Sequence, residues 1–179
     1  MPQRSPHDRS DEGFEDYVRG RSTALLRTAY LLTGDRGHAE DLLQSVLAKV
    51  ARRWSAISDS PDAYVWRALA NAAQNRWRRR RWFETSLDRD HVSPHDAVAT
   101  VDLRDQLVRG LTKLPGRQRA VLVLRYFEDL SEQETAATLG CSIGTVKSQA
   151  SRGLTRLRAF VIDADNDDHP VFAGVRTDS

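Results

Sequence analysis

Several things are scarce in this chain, and each scarcity closes a route. Cys141 is the single cysteine among 179 residues, so no internal disulfide framework can form and a reducing compartment suits the protein. No apolar run approaches the ~20 residues that span a bilayer, which excludes membrane insertion. The opening MPQRSPHDRSDEG has no hydrophobic segment, so it is not expected to act as a secretory signal, and a cytoplasmic location follows. A Gly-rich phosphate loop is missing, and the cysteine has no histidine at a useful spacing. The five histidines are scattered. His91 and His95, with Asp88, Asp90 and Asp96, sketch a metal site only in a Pro-containing connector that offers nothing to orient them. No enzyme, cofactor or metal is expected. Period-two alternation occurs nowhere, so the expected class is all-α.

What is present is a charge pattern that the net +2 conceals. Residues 14–83 hold 13 basic and 7 acidic side chains, net +6, and residues 102–160 hold 10 and 6, net +4. Residues 1–13, 84–101 and 161–179 are acidic, at −1, −3 and −4. Two basic modules with acidic connectors imply two separate contacts with a polyanion.

Helical periodicity organises both modules. A stripe of Phe14, Tyr17, Val18, Leu25, Ala29 and Leu32 predicts a first helix, ended by Thr33-Gly34-Asp35, with Asp35 placed to cap the next. Ala39, Leu42, Leu43, Val46, Leu47, Val50 and Trp54 mark one face of a second helix over four turns. Ser60-Pro61 opens a third, which has two apolar stripes: Val65, Leu69, Ala72 and Trp66, Ala70, Ala73, Trp77. A helix so patterned leaves a face for a ligand. It ends in Arg76, Trp77, Arg78, Arg79, Arg80, Arg81 and Trp82. Arginine pairs with phosphate bidentately and tryptophan offers a plane for an unpaired base, with Asn71 and Asn75 one and two turns earlier for base edges. This module is equipped for opened DNA.

Leu103, Leu107, Leu111 and Leu114 restart the periodicity, and Pro115-Gly116 begins a helix with Ala120, Val121, Leu124 and Phe127 as core. Next comes Ser131–Arg158. Ser131 and Glu134 form a capping box, Gly140 ends a short helix in the left-handed region, and Ser142 caps a longer one. That second helix carries Val146, Ala150, Leu154, Leu157 and Val161 inward, and Thr145, Lys147, Ser148, Gln149, Ser151, Arg152 and Arg156 outward. A short helix, a Gly-containing turn and a polar, cationic second helix make the helix-turn-helix that reads the major groove.

Two blocks carry a family resemblance: 39–54 with 61–81, and 114–158. Together with Phe14–Tyr30 they resemble regions 2 and 4 of the extracytoplasmic-function sigma factors of bacteria, and WRRRR and SRGLTRLR look most like the actinobacterial sigma-E-like subfamily. The resemblance implies a fold of two small helical domains on a flexible linker. Residues 1–12 would be disordered, 13–83 would form region 2, 84–101 the linker, 102–161 region 4, and 162–179 a loose acidic tail. It implies a core RNA polymerase partner, engaged through its β′ clamp helices and β flap, together with promoter DNA, and it allows an anti-sigma factor. It places polymerase contacts at Asp41, Gln44, Leu47 and Arg53. Recognition and melting of the −10 element falls on Asn71, Asn75, Trp77 and Arg78–Arg80. The −35 contacts fall on the outward residues of the recognition helix. Ser45 stands where an acidic residue is common, and Gln149 where arginine is common. A LuxR-type or other helix-turn-helix regulator is the alternative, because S-x-x-T-V-K recurs there.

Overall fold

The computed structural model describes residues 6–57, 60–84 and 103–168, with side chains described for 13–57, 60–76 and 105–160. Seven α-helices account for nearly all of these residues, and no strand occurs among them. They are α1 (Pro6–Thr33), α2 (Arg36–Ala51), α3 (Pro61–Glu84), α4 (Leu103–Lys113), α5 (Gly116–Tyr126), α6 (Glu132–Leu139) and α7 (Ile143–Asp168). A single 3₁₀ turn, Trp54–Ala56, follows α2.

The first lobe is α1–α3. Gly34 has φ +77° and its N–H bonds the Tyr30 carbonyl, turning the chain sharply out of α1. The Asp35 carboxylate then accepts from the His38 N–H at 2.7 Å and starts α2. Leu25, Ala29 and Leu32 of α1 and Ala39, Leu42, Leu43, Val46 and Val50 of α2 are buried together with Val65, Trp66, Leu69 and Ala70 of α3. Each large aliphatic chain so buried contributes roughly 1.5–3 kcal/mol. Trp54 is not on the α2 face. That helix ends at Ala51, and the 3₁₀ turn swings the indole onto Phe14 and Tyr17, at centroid distances of 5.3 and 5.1 Å. Asp62 ties the start of α3 to α1, accepting from the Tyr17 hydroxyl (2.9 Å) and from Arg21 through both oxygens (3.1 and 2.6 Å). Burial and the adjoining carboxylate push the Tyr17 hydroxyl well above its ordinary pKa.

The second lobe is α4–α7. Its centre is α5, where every residue from Gln118 to Leu124 is buried. Glycines let α7 come close. A Cβ on Gly153 would lie 3.1 Å from Leu122, and one on Gly110 of α4 would lie 2.6 Å from Leu157. Val121, Ala136 and Val146 form a small core that joins α5, α6 and α7.

Two further sequence expectations change. Helix α1 begins at Pro6, not Phe14, so residues 6–12, expected to be disordered, are helical. Proline at the first helical position has its φ already set and loses no needed N–H there. Helix α7 continues to Asp168, through residues expected to form a loose tail, because no Gly or Pro interrupts the chain from Leu154 to His169. The two small helical domains expected are present. They pack against each other, and one apolar cluster runs from Leu25 and Leu69 to Leu111, Leu122 and Leu124. The linker itself, and with it His91 and His95, lies outside the described residues.

Candidate nucleic-acid and polymerase interface

The helix-turn-helix is built by local signals. The Ser131 hydroxyl accepts from the Glu134 N–H at 3.1 Å, while the Glu134 carboxylate accepts from the Ser131 N–H at 2.7 Å. These bonds hold the Glu134 carboxyl below its ordinary pKa. Gly140 ends α6 with φ +64°, and its N–H bonds the Ala136 carbonyl. Ser142 then accepts from the Thr145 N–H at 3.1 Å and starts α7.

On α7, Lys147, Ser148, Ser151, Arg152 and Arg156 are exposed, and Thr145 and Gln149 are half-buried. Thr145, Ser148, Gln149, Arg152 and Arg156 follow at steps of three and four, so they share one face, about 16 Å long at 1.5 Å per residue. That face suits a major groove ~12 Å wide. Its side chains differ in how they are held. Thr145 Oγ1 lies 2.9 Å from Ser142 Oγ, Lys147 pairs with Glu132 at 3.6 Å, and Arg156 donates to Gln118 at 3.1 Å. Arg152 makes no hydrogen bond or ion pair to a described residue and is the cation most available to an incoming acceptor.

The candidate polymerase contacts also form a surface. Asp41 and Gln44 are exposed on α2, Leu47 is half-buried one further step of three along the helix, and Arg53 is exposed just beyond its end. Ser45 is exposed between them. On α3, Asn71 and Asn75 are exposed one turn apart, together with Arg76. The backbone of Trp77 and Arg78–Arg80 continues α3, and their side chains lie outside those described. The three groups therefore lie on different elements: α2 with the turn after it, α3, and α7. Among the described residues no group of three His, Cys, Asp or Glu side chains is placed to hold a metal, and no helix is long and apolar enough to cross a membrane.

Sequence reasoning missed Arg67 and Arg119. Arg119 is only 5% exposed, donates to the carbonyls of Leu32, Thr112 and Leu114, and has its pKa lowered to about 10 by burial. Its position inside QRAVLVL, a run too apolar for a surface helix, was the available signal.

Models of sigma-70 region 2 and sigma-70 region 4 match residues 18–83 and 104–157. A helix-turn-helix regulator of the LuxR type has no place for the first match. The RNA polymerase sigma-E factor of Streptomyces coelicolor is 42% identical over 157 residues, covering 86% of this chain and 89% of that protein. The ECF RNA polymerase sigma factor SigW of Bacillus subtilis is 25% identical over 169 residues, covering 85% and 90%. Among solved structures, the sigma factor RpoE from Bartonella quintana, in complex with the anti-sigma factor NepR, superposes with a TM-score of 0.69 at 26% identity, covering 84% of this chain and 98% of that one. CnrH, in complex with the cytosolic domain of CnrY, shares the fold with a TM-score of 0.62 at 22% identity. The chain belongs to the sigma-70 family, in its extracytoplasmic-function group.

Proposed function

We propose that this RNA polymerase sigma factor divides its work among the three groups of residues described above. The protein binds core RNA polymerase and directs promoter recognition and transcription initiation. Residues 13–83 form the unit that holds the polymerase and opens DNA, and residues 102–161 form the unit that reads duplex. The α7 face reads the −35 element through Thr145, Lys147, Ser148, Gln149, Ser151, Arg152 and Arg156. Asn71, Asn75, Trp77 and Arg78–Arg80 take the −10 element, with Trp77 as a stacking plane for a flipped base. Asp41, Gln44, Leu47 and Arg53 dock on the polymerase. The protein works without catalysis of its own and in the cytoplasm, and its lobes allow a complex with an anti-sigma factor, as the RpoE relative forms one with NepR.

One observation carries this reading: the exposed polar face of α7, set on a helix-turn-helix whose caps and small core are complete. Permanganate footprinting of the melted region with core enzyme tests the −10 assignment. Trp77→Ala slows appearance of the reactive thymines, and an unchanged footprint removes Trp77 from that role.

A further inference from the structure

Helix α5 begins without a cap. Pro115 stands at the N-cap, where serine, threonine, aspartate or asparagine would accept from the first turn, and no side chain takes that role. The first bond of the helix runs from the Arg119 N–H to the Pro115 carbonyl (3.0 Å). Proline has no N–H, so the helix itself leaves those of Gly116, Arg117 and Gln118 without an acceptor. No acidic residue lies in the first turn to meet the positive end of the dipole. A helix start of this kind favours an anion.

Arg119, one turn into the same helix, adds a buried cation. Its Nη1 and Nη2 donate to the carbonyls of Leu32, Thr112 and Leu114, while its buried Nε has no partner among the described residues. No carboxylate of those residues pairs with it. Arg67 of α3 provides the contrast. It donates to the Thr138 carbonyl (2.8 Å) and to that of Ala137, at the end of α6, yet it is exposed, so water screens its charge. A cation as buried as Arg119 has no such screening and is costly without a counter-charge.

The two features meet at a cavity of about 10 Å³, lined by Leu32, Ala70, Ala73, Gln74, Gly116 and Arg119. Gly116 brings the first turn of α5 onto α3, where a Cβ would lie 3.4 Å from Gln74 Cγ. The lining thus combines a guanidinium, a helix start and an amide with three apolar side chains, and the Leu32 carbonyl is already engaged by Arg119. We propose that this cavity is a binding site for one small monovalent anion of the halide class. Its donors are Arg119 Nε, the Gln74 amide and the N-terminus of α5. A single water fits the same space, but it brings no charge to offset the guanidinium, and its own two hydrogens find few acceptors here. A phosphate, sulfate or carboxylate group is too large for so small a cavity. The ligand is therefore distinct from the phosphates of DNA, and the site does not depend on the assignment of any DNA or polymerase contact.

Thermal unfolding of the full chain tests the site, with sodium chloride replacing sodium methanesulfonate at constant ionic strength. The melting temperature is expected to rise by about 3 °C and to level off, as binding to one site of the folded state requires. Bromide is expected to act as chloride does. In Gln74→Glu the new carboxylate stands in for the anion. This variant is expected to melt above the wild-type chain when chloride is absent, and to show no saturable response when it is added. A wild-type melting temperature unmoved by chloride overturns the proposal, the cavity then holding water alone. A response that is linear and shared by Gln74→Glu overturns it as well, because screening of the basic surfaces then explains the effect. If Gln74→Glu loses its helical circular dichroism spectrum, the chloride NMR linewidth of the wild-type chain decides. One saturable component per chain, displaced by bromide, supports the site, and the lack of such a component overturns it.

Discussion

Substitution of Gly34 by alanine tests the docking of the lobes at one atom. Gly34 ends α1 with φ +77°, and a Cβ there would come within 2.0 Å of Thr112 Cγ2 on α4. Two costs are expected. Holding an alanine in the left-handed region costs ~1–2 kcal/mol, wherever the neighbouring lobe lies. The clash adds ~1–3 kcal/mol, the usual range for overpacking. Thr112 cannot simply rotate away, because its hydroxyl is bonded to the Arg109 carbonyl at 2.7 Å and a β-branched side chain is stiff at χ1. Thr112→Ser keeps that hydroxyl and removes the offending methyl, at a cost of about 0.8 kcal/mol when made alone. The clash component should therefore vanish in the double variant, leaving a favourable coupling of ~1 kcal/mol or more in a double-mutant cycle. Urea denaturation of the four proteins measures the coupling, and the inter-lobe distance shows whether Gly34→Ala alone has parted the lobes. Additive effects within ~0.3 kcal/mol would show that Gly34 and Thr112 do not touch in solution, and would refute the packing of the lobes at this point.

Other predictions follow from the site. Arg152→Ala, which removes a cation with no partner among the described residues, should weaken −35-dependent transcription by roughly tenfold, the ~1–3 kcal/mol of one good base contact, while leaving core binding intact. Equal loss of both, by transcription and gel filtration, would mean that the chain had misfolded. Affinity of the polymerase-bound protein for promoter duplex should fall on the order of 10³-fold or more between 50 and 200 mM salt if both basic lobes meet phosphates, and a flat dependence would contradict that. The Glu134 carboxyl has a folded-state pKa lowered by its bonds to Ser131, so its contribution is present above the ordinary glutamate range and is lost as pH falls through the lowered value. Glu134→Gln should flatten that part of a melting-temperature profile between about pH 5 and 3, and an unaltered profile would remove the capping box as its source.

How much was legible beforehand depended on the range of the signal. Ser131 with Glu134, Gly140 and Ser142 act within a turn of themselves, so the helix-turn-helix could be read down to its caps. The stripes of α1, α2 and α5 report burial directly and were legible for the same reason. The second stripe of α3 was harder. Ala70 and Ala73, read as a face left for a ligand, share the lining of a small cavity with Gly116 and Arg119 of the other lobe, and no local pattern specifies a neighbour nearly 50 residues away. Arg67 was invisible as a contact because a guanidinium bonded to a distant helix end has the same sequence appearance as a solvated one, and the apolar run around Arg119 signals its burial without naming its partners. The charge count that separated the chain into two basic modules is correct as arithmetic, yet it does not reveal that the modules share a core. At the candidate site the recognition helix was legible from its two-sided pattern. The pairing of Lys147 with Glu132 and of Arg156 with Gln118, which leaves Arg152 as the cation of that face with no partner among the described residues, could not be read from the sequence.

Run-off transcription with purified core RNA polymerase, on duplexes carrying both promoter elements or either one alone, tests the central claim most directly. Specific transcripts are expected only when this protein and core enzyme are both present. Strong dependence on both elements is expected, with the −35 dependence reduced by Arg152→Ala. Sequence-specific binding of the duplex by the protein alone, with no association with core enzyme and no transcript, would contradict a sigma-factor role.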